Sequence, residues 1–145
     1  MADLSALARV APEHWLSAVG ALREAGFDVF DVLTAYQVEG GLELVLRVLS
    51  SDTGAADGLH TQVAFGEPIA SLTPVYAGAA WPERELAEQF GLLLSGFRDG
   101  TGEAVRRLLL PEDVTDQVPG KPLRMPLRKE SELVARRDTP WPGAR

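Results

Sequence analysis

Cysteine is absent from the 145 residues. That excludes an iron–sulfur cluster or zinc site held by this chain's own thiolates, a disulfide framework and a thiol nucleophile. Histidine is scarce: only His14 and His60 occur, on different predicted elements. A histidine metal site needs ligands at helical or hairpin spacing with a carboxylate beside them. Neither histidine has that neighbourhood, so no metal ligand is predicted. An excess of positive charge is also lacking. Fourteen Lys+Arg against 21 Asp+Glu leave a net −7, which argues against a uniformly basic nucleic-acid-binding surface.

Long apolar runs are missing too. None approaches the roughly 20 residues of a membrane span, and Met1–Val10 holds two charges and no stretch of signal length. Neither a transmembrane helix nor a secretory signal is predicted. The expected location is cytoplasmic, with any membrane contact made only through a partner. Gly96, Gly100 and Gly102 fit neither the Walker pattern nor the dinucleotide fingerprint. No serine sits in a nucleophile elbow, and acidic pairs such as Glu112-Asp113 read as solvated surface. On its own residues the chain has no predicted catalytic, cofactor-binding or metal-binding side chain.

What is present is enough apolar material for one core: 46% hydrophobic and 24% charged residues in a chain of single-domain length. The charges are unevenly spread. Residues 1–100 hold 5 Arg and 14 acids, whereas 101–145 hold 9 basic residues and 7 acids. Six of the ten prolines stand at Pro111 or beyond. Proline fixes φ and removes a backbone donor, so such a stretch builds no central strand or long helix. The expected organisation is a compact body over 1–110 and an extended Pro/Arg-rich arm over 111–145. Alone the arm reads as a floppy terminus; against another protein it reads as a segment ordered by binding.

Within the body, Pro12 suits the first turn of a helix, and Trp15, Val19 and Leu22 form one apolar stripe, predicting a helix over 12–25 that Gly26 stops. Strands are expected over 27–38, 42–49 and 59–65. The first two join through Glu39-Gly40-Gly41, read as positive-φ hairpin residues, and the last two across a polar loop at 50–58. Leu42, Leu44, Leu46 and Val48 form one face; Leu59, Thr61, Val63 and Phe65 form another, and Pro68 is read as the end of the third strand. Residues 72–76 read as a short helical turn, 79–90 as a second helix ending at Gly91, 92–94 as a short strand, and 106–110 as a further strand or the start of the arm. The fold class is α+β: an N-terminal helix, an antiparallel sheet of three to four strands, a second helix and the arm.

The second helix carries the most informative residues. Ala79, Glu83, Leu86 and Phe90 share one face. A carboxylate on an apolar face is costly unless paired, so Glu83 lies either at the edge of the stripe or buried with a partner, for which Arg106 or Arg107 is expected. Arg84 and Glu88 are expected to form a weak i,i+4 surface pair. An acid–base role for Glu83 and Glu85 would need a perturbed environment that the sequence does not reveal.

Taken in order, Trp81, Glu83-Arg84-Glu85, Phe90-Gly91, Arg106-Arg107-Leu108-Leu109-Leu110-Pro111-Glu112-Asp113 and Lys121-Pro122-Leu123-Arg124 resemble the motif set of the thirty-kilodalton subunit family of respiratory complex I, the NADH-quinone oxidoreductase. That family has relatives in membrane-bound NiFe-hydrogenase complexes. The likeness spans nearly the whole chain. Glu88 stands where that family has aspartate, Gly96-Phe97-Arg98 where it has Gly-His-Pro, and Lys121 where it has histidine, marking a divergent member. The resemblance implies a subunit without a cofactor that clamps the large subunit, of the forty-nine-kilodalton or NiFe-hydrogenase type, at the cytoplasmic face of the membrane. It also makes Trp81, Glu83, Arg84, Glu85, Phe90, Gly91, Arg106, Arg107, Pro122, Leu123 and Arg124 interface residues. A second reading is a free-standing homodimeric binding or regulatory domain that keeps the fold without the complex.

Overall fold

The computed structural model describes residues 7–103 and 105–108. A short strand β1 (Ala8–Arg9) leads through a single 3-10 turn (Pro12–His14) into helix α1 (Trp15–Glu24). Three long strands follow, β2 (Val29–Val38), β3 (Gly41–Leu49) and β4 (Ala56–Ala64), then β5 (Pro68–Ala70), a 3-10 turn (Ala77–Ala79), helix α2 (Ala80–Phe90) and β6 (Leu93–Ser95). The main sheet has the order β1-β4-β3-β2, and β5 pairs with β6 in a second, two-stranded sheet.

The antiparallel meander forms because apolar residues recur every second position. Leu33, Leu46 and Leu59 lie in one cross-strand row, with Ala35, Leu44 and Thr61 in the next. Leu42, Leu44, Leu46 and Val48 are all buried on the face that meets Trp15 and Val19 of α1 and Leu86 of α2. Burying such side chains is worth about 1.5–3 kcal/mol each, and strand alternation concentrates that gain on one face. A register shift between Phe30 and Val32 places a bulge in β2, and Asp31 there reaches Arg47 at 3.2 Å.

Several expectations need correction. Gly40 alone of the hairpin glycines has positive φ (+77°). Gly41 already belongs to β3 and is required for close approach, since a Cβ there would lie 2.1 Å from the Val63 carbonyl oxygen. The polar loop is shorter than expected because β4 begins at Ala56, so Asp57 and Gly58 are in the ladder. Phe65 lies past the strand end and is exposed, unlike Leu59, Thr61 and Val63. Pro68 opens β5 rather than closing β4: a first strand position tolerates a missing N–H. Residues 72–76 make the expected single turn, closed by the Tyr76 N–H on the Leu72 carbonyl. The sequence pattern predicts neither β1, which pairs parallel to β4, nor the parallel β5/β6 pair. Residues 106–108 form no strand, and 109–110 lie outside the described residues.

Thr61 is 0% exposed, and its Oγ1 has no hydrogen-bond partner among the described residues. Its inner-face position among leucines and valines suits an isosteric apolar side chain. Thr61→Val is therefore expected to stabilise the fold by about 1 kcal/mol, read as a higher urea midpoint; a lower midpoint would show that the hydroxyl is satisfied.

Candidate functional site

Helix α2 places the family-motif residues. Pro82 falls in its first turn, where a missing N–H costs no intrahelical bond. Gly91 ends it with φ +69°, donating its N–H to the Ala87 carbonyl, because glycine enters the left-handed region without a Cβ penalty. Ala79, Glu83 and Leu86 are buried on the inward face, and Phe90 packs against the core. Glu83 is 1% exposed.

Its partner is not an arginine, contrary to expectation. Glu83 Oε1 accepts the Leu72 N–H at 2.5 Å, and Oε2 accepts the Ser71 hydroxyl at 2.6 Å. Ser71 Oγ in turn accepts the Thr73 N–H at 3.2 Å and lies 2.8 Å from Thr73 Oγ1, which accepts the Arg98 N–H at 3.0 Å. With Ser71 donating to the carboxylate, Thr73 is free to donate to Ser71. The hydroxyls then run in one direction, from the Arg98 amide to Glu83, and end on an acceptor. Short polar side chains with neutral donors thus replace the cation that the sequence suggested. Burial pushes the Glu83 carboxyl up to about 7, against the downward pull of the Leu72 and Ser71 hydrogen bonds. A raised pKa is what a general acid needs. Here, though, Glu83, Ser71 and Thr73 are all buried, and the carboxyl oxygens face backbone and hydroxyls.

Arg84 and Glu88 also depart from the predicted surface pair. Arg84 Nε donates to the Arg106 carbonyl at 2.8 Å and Nη2 to the Arg107 carbonyl. Buried Glu88 accepts the Leu108 N–H on Oε2 at 2.6 Å. The motif residues therefore hold main chain. The side chain of Arg106 turns to Asp99 at 2.9 Å. Asp99 also accepts the amide and hydroxyl of Thr101, and these donors hold its carboxyl far below the usual range. Arg107 Nη1 is buried and has no hydrogen-bond partner among the described residues. Glu85 accepts from Gln89 at 2.9 Å. Trp81 is 62% exposed, one turn before Arg84. Pro122, Leu123 and Arg124 lie outside the described residues.

Elsewhere, His60 Nδ1 and Glu43 Oε1 lie 2.6 Å apart on the sheet face away from the helices. Sequence reasoning missed this contact, although the two positions sit in neighbouring strands two ladder rungs apart. His14 is exposed. Among the described residues no three His, Cys, Asp or Glu side chains gather as metal ligands.

Glu83 binds its proton more tightly in the folded protein than in the unfolded chain, where its pKa is near 4.5. Its contribution to stability is therefore fully present below about 4.5 and is lost as pH rises through about 7, by on the order of 3 kcal/mol. Urea titrations between pH 4.5 and 8 should show wild type losing that much relative to Glu83→Gln; parallel curves would refute the raised pKa. Glu83→Ala leaves the Leu72 amide and Ser71 hydroxyl without an acceptor. It is expected to cost about 3 kcal/mol at pH 7, and an unchanged thermal midpoint would contradict the network.

The chain matches the family described as respiratory-chain NADH dehydrogenase, 30 Kd subunit, over residues 8–137. It is 33% identical over 113 residues to NAD(P)H-quinone oxidoreductase subunit J of Synechococcus sp. (strain RCC307), covering 72% of this chain and 59% of that one. To formate hydrogenlyase subunit 5 of Escherichia coli it is 37% identical over 74 residues, 51% of this chain and only 11% of that one. The chain thus spans little more than half the length of the first of these relatives and far less of the second. A chain of the membrane-bound sulfane sulfur reductase, an archaeal respiratory membrane complex, shares the fold with a TM-score of 0.58 at 21% identity, over 62% of this chain and 56% of that chain. With the family matched across nearly its whole length, the chain belongs to the 30 kDa subunit family of the respiratory-chain NADH dehydrogenase.

Proposed function

We propose that this protein is a non-catalytic assembly subunit of a complex I-like NADH-quinone oxidoreductase or of a membrane-bound hydrogenase complex. Its α+β body carries residues 111–145 as an arm that clamps the large subunit, while electron transfer runs through other chains. One observation carries this reading: Arg84 and Glu88, both in the family-motif segment, hold the backbone of residues 106–108. Side chains committed to holding their own backbone suit a scaffold better than a reaction centre.

The relatives support the same direction. In formate hydrogenlyase subunit 5 the matching stretch is a small part of a much longer chain, as expected of a module that works attached to a larger partner. Arginine suits such interfaces because its fork satisfies carboxylates and main-chain carbonyls, and the arm holds Arg124, Arg128, Arg136 and Arg137. Among the described residues no helix is long and apolar enough to cross a membrane, so the body would meet the membrane through its partners. A homodimeric binding domain is the second reading. It is favoured by β2, an outer strand of the sheet with exposed Val29, Val32 and Tyr36, which suits two-fold edge pairing.

Co-expression with the large subunit of the same complex, followed by limited proteolysis, tests the proposal. Residues 111–145 are expected to be protected in the complex and cleaved in the isolated chain, and the isolated chain is expected to show no NADH oxidation. Equal cleavage in both states would overturn the clamp. A stable dimer by sedimentation, with no large subunit retained, would favour the second reading.

A further inference from the structure

Two side chains one helical turn apart grip two consecutive peptide units. Arg84 spreads its fork over the carbonyls of Arg106 and Arg107, and Glu88 takes the N–H of Leu108. An ideal extended strand points successive carbonyls to opposite sides, so one guanidinium can hold both only where the chain departs from that geometry. From Arg84 to Glu88 the held segment runs in the same direction as α2. On its other side the Arg106 guanidinium is tied to Asp99, whose carboxylate is locked by Thr101 within a turn closed by the Asp99 and Gly102 backbones. Residues 106–108 are therefore held from two directions, and the grip from α2 ignores their side chains.

These contacts connect to the buried carboxylate. Glu83 holds Ser71, Thr73 joins Ser71 to the Arg98 amide, Asp99 follows Arg98 in the chain and holds Arg106, and the Arg106 carbonyl returns to Arg84. The ring starts and ends on neighbouring residues of α2. A ring of this kind fixes the orientation of the segment as well as its location.

We infer that Arg84 and Glu88 are positioning residues for assembly: they latch residues 106–108 onto α2 and so aim residues 109–145 at the large subunit. This rests on the clamp reading above. The latch acts before any contact with the partner, by ordering residues 106–108, so that less conformational freedom is lost on binding.

The test uses the full chain with Arg84→Met, which keeps the stem and removes the fork, and Glu88→Met, which removes the acceptor at nearly constant length. Both variants should keep a thermal midpoint close to wild type, because the core and the Glu83 network are untouched. Hydrogen exchange at the Leu108 amide should accelerate by about tenfold or more, and affinity for the co-purified large subunit should fall by a similar factor. Unchanged Leu108 exchange in both variants overturns the latch. Faster exchange with unchanged affinity overturns its role in aiming the arm. Failure of the wild-type chain to bind the large subunit overturns the clamp reading and the aiming role with it. The exchange measurement needs no partner, so the two failures are distinguishable.

Discussion

A carboxylate with no cation beside it organises one end of this fold. Glu83 sits on the apolar face of α2 and is stabilised by neutral donors, the Leu72 amide and the Ser71 hydroxyl. An ionised group taken out of water without such donors would be strongly unfavourable. The turn at 71–73 must therefore be built to meet it, and through Thr73 that turn also fixes the loop after β6 at Arg98. Directional hydrogen bonds achieve here what packing alone does not: they fix a helix, a turn and a loop in one register. The cost is a carboxyl that titrates near neutrality, so a polar element of the interior responds to pH.

Around this centre, several charged side chains bond to the backbone. Arg84, Glu88, Asp99 and Arg23 each bond to main-chain groups. Arg23 also lies over the Tyr76 ring at 5.0 Å, and the Tyr76 hydroxyl donates to the Phe27 carbonyl at 2.5 Å. Unpaired backbone groups outside regular structure must find partners wherever water is excluded. The connecting segments of this protein obtain them from side chains on α1, on α2 and in the loops themselves. That is economical for a scaffold, since it lets the segments vary in sequence while their course is retained.

The sequence made the meander legible because its signal is local. Alternation at Leu42, Leu44, Leu46 and Val48 can only mean a strand with one buried face, and Gly40 and Gly91 mark true turning points. Helical spacing left Glu83 either at the edge of the apolar stripe or buried, and the structure buries it. Its partners were not legible, because Ser71 and Thr73 are ordinary hydroxyl residues on a separate element, with nothing local to link them to position 83. Charge pairing was the misleading guide, suggesting Arg106 or Arg107 for Glu83 and Glu88 for Arg84, whereas Glu83, Arg84 and Glu88 bond to main-chain groups or hydroxyls and Arg106 pairs with Asp99. The parallel pairs β1/β4 and β5/β6 were illegible because strands of two or three residues carry no periodicity, and Pro68 reads as a stop until its place at a strand's first position is known. The family motifs were the strongest signal for function, since they identify the chain's relatives where the chemistry of its own residues is silent.

The β5–α2–β6 connection has a consequence for the order in which the protein matures. β2, β3 and β4 follow one another through short loops, so their pairing closes little chain and can form early. Ile69 and Leu94, by contrast, become ladder neighbours only after the whole intervening helix has crossed over. The seat for residues 106–108 lies on that same helix, so it is completed only once the crossover is in place. On the assembly reading proposed above, a nascent chain with a finished meander would still lack that seat, and the ability to dock would be the last property the body acquires.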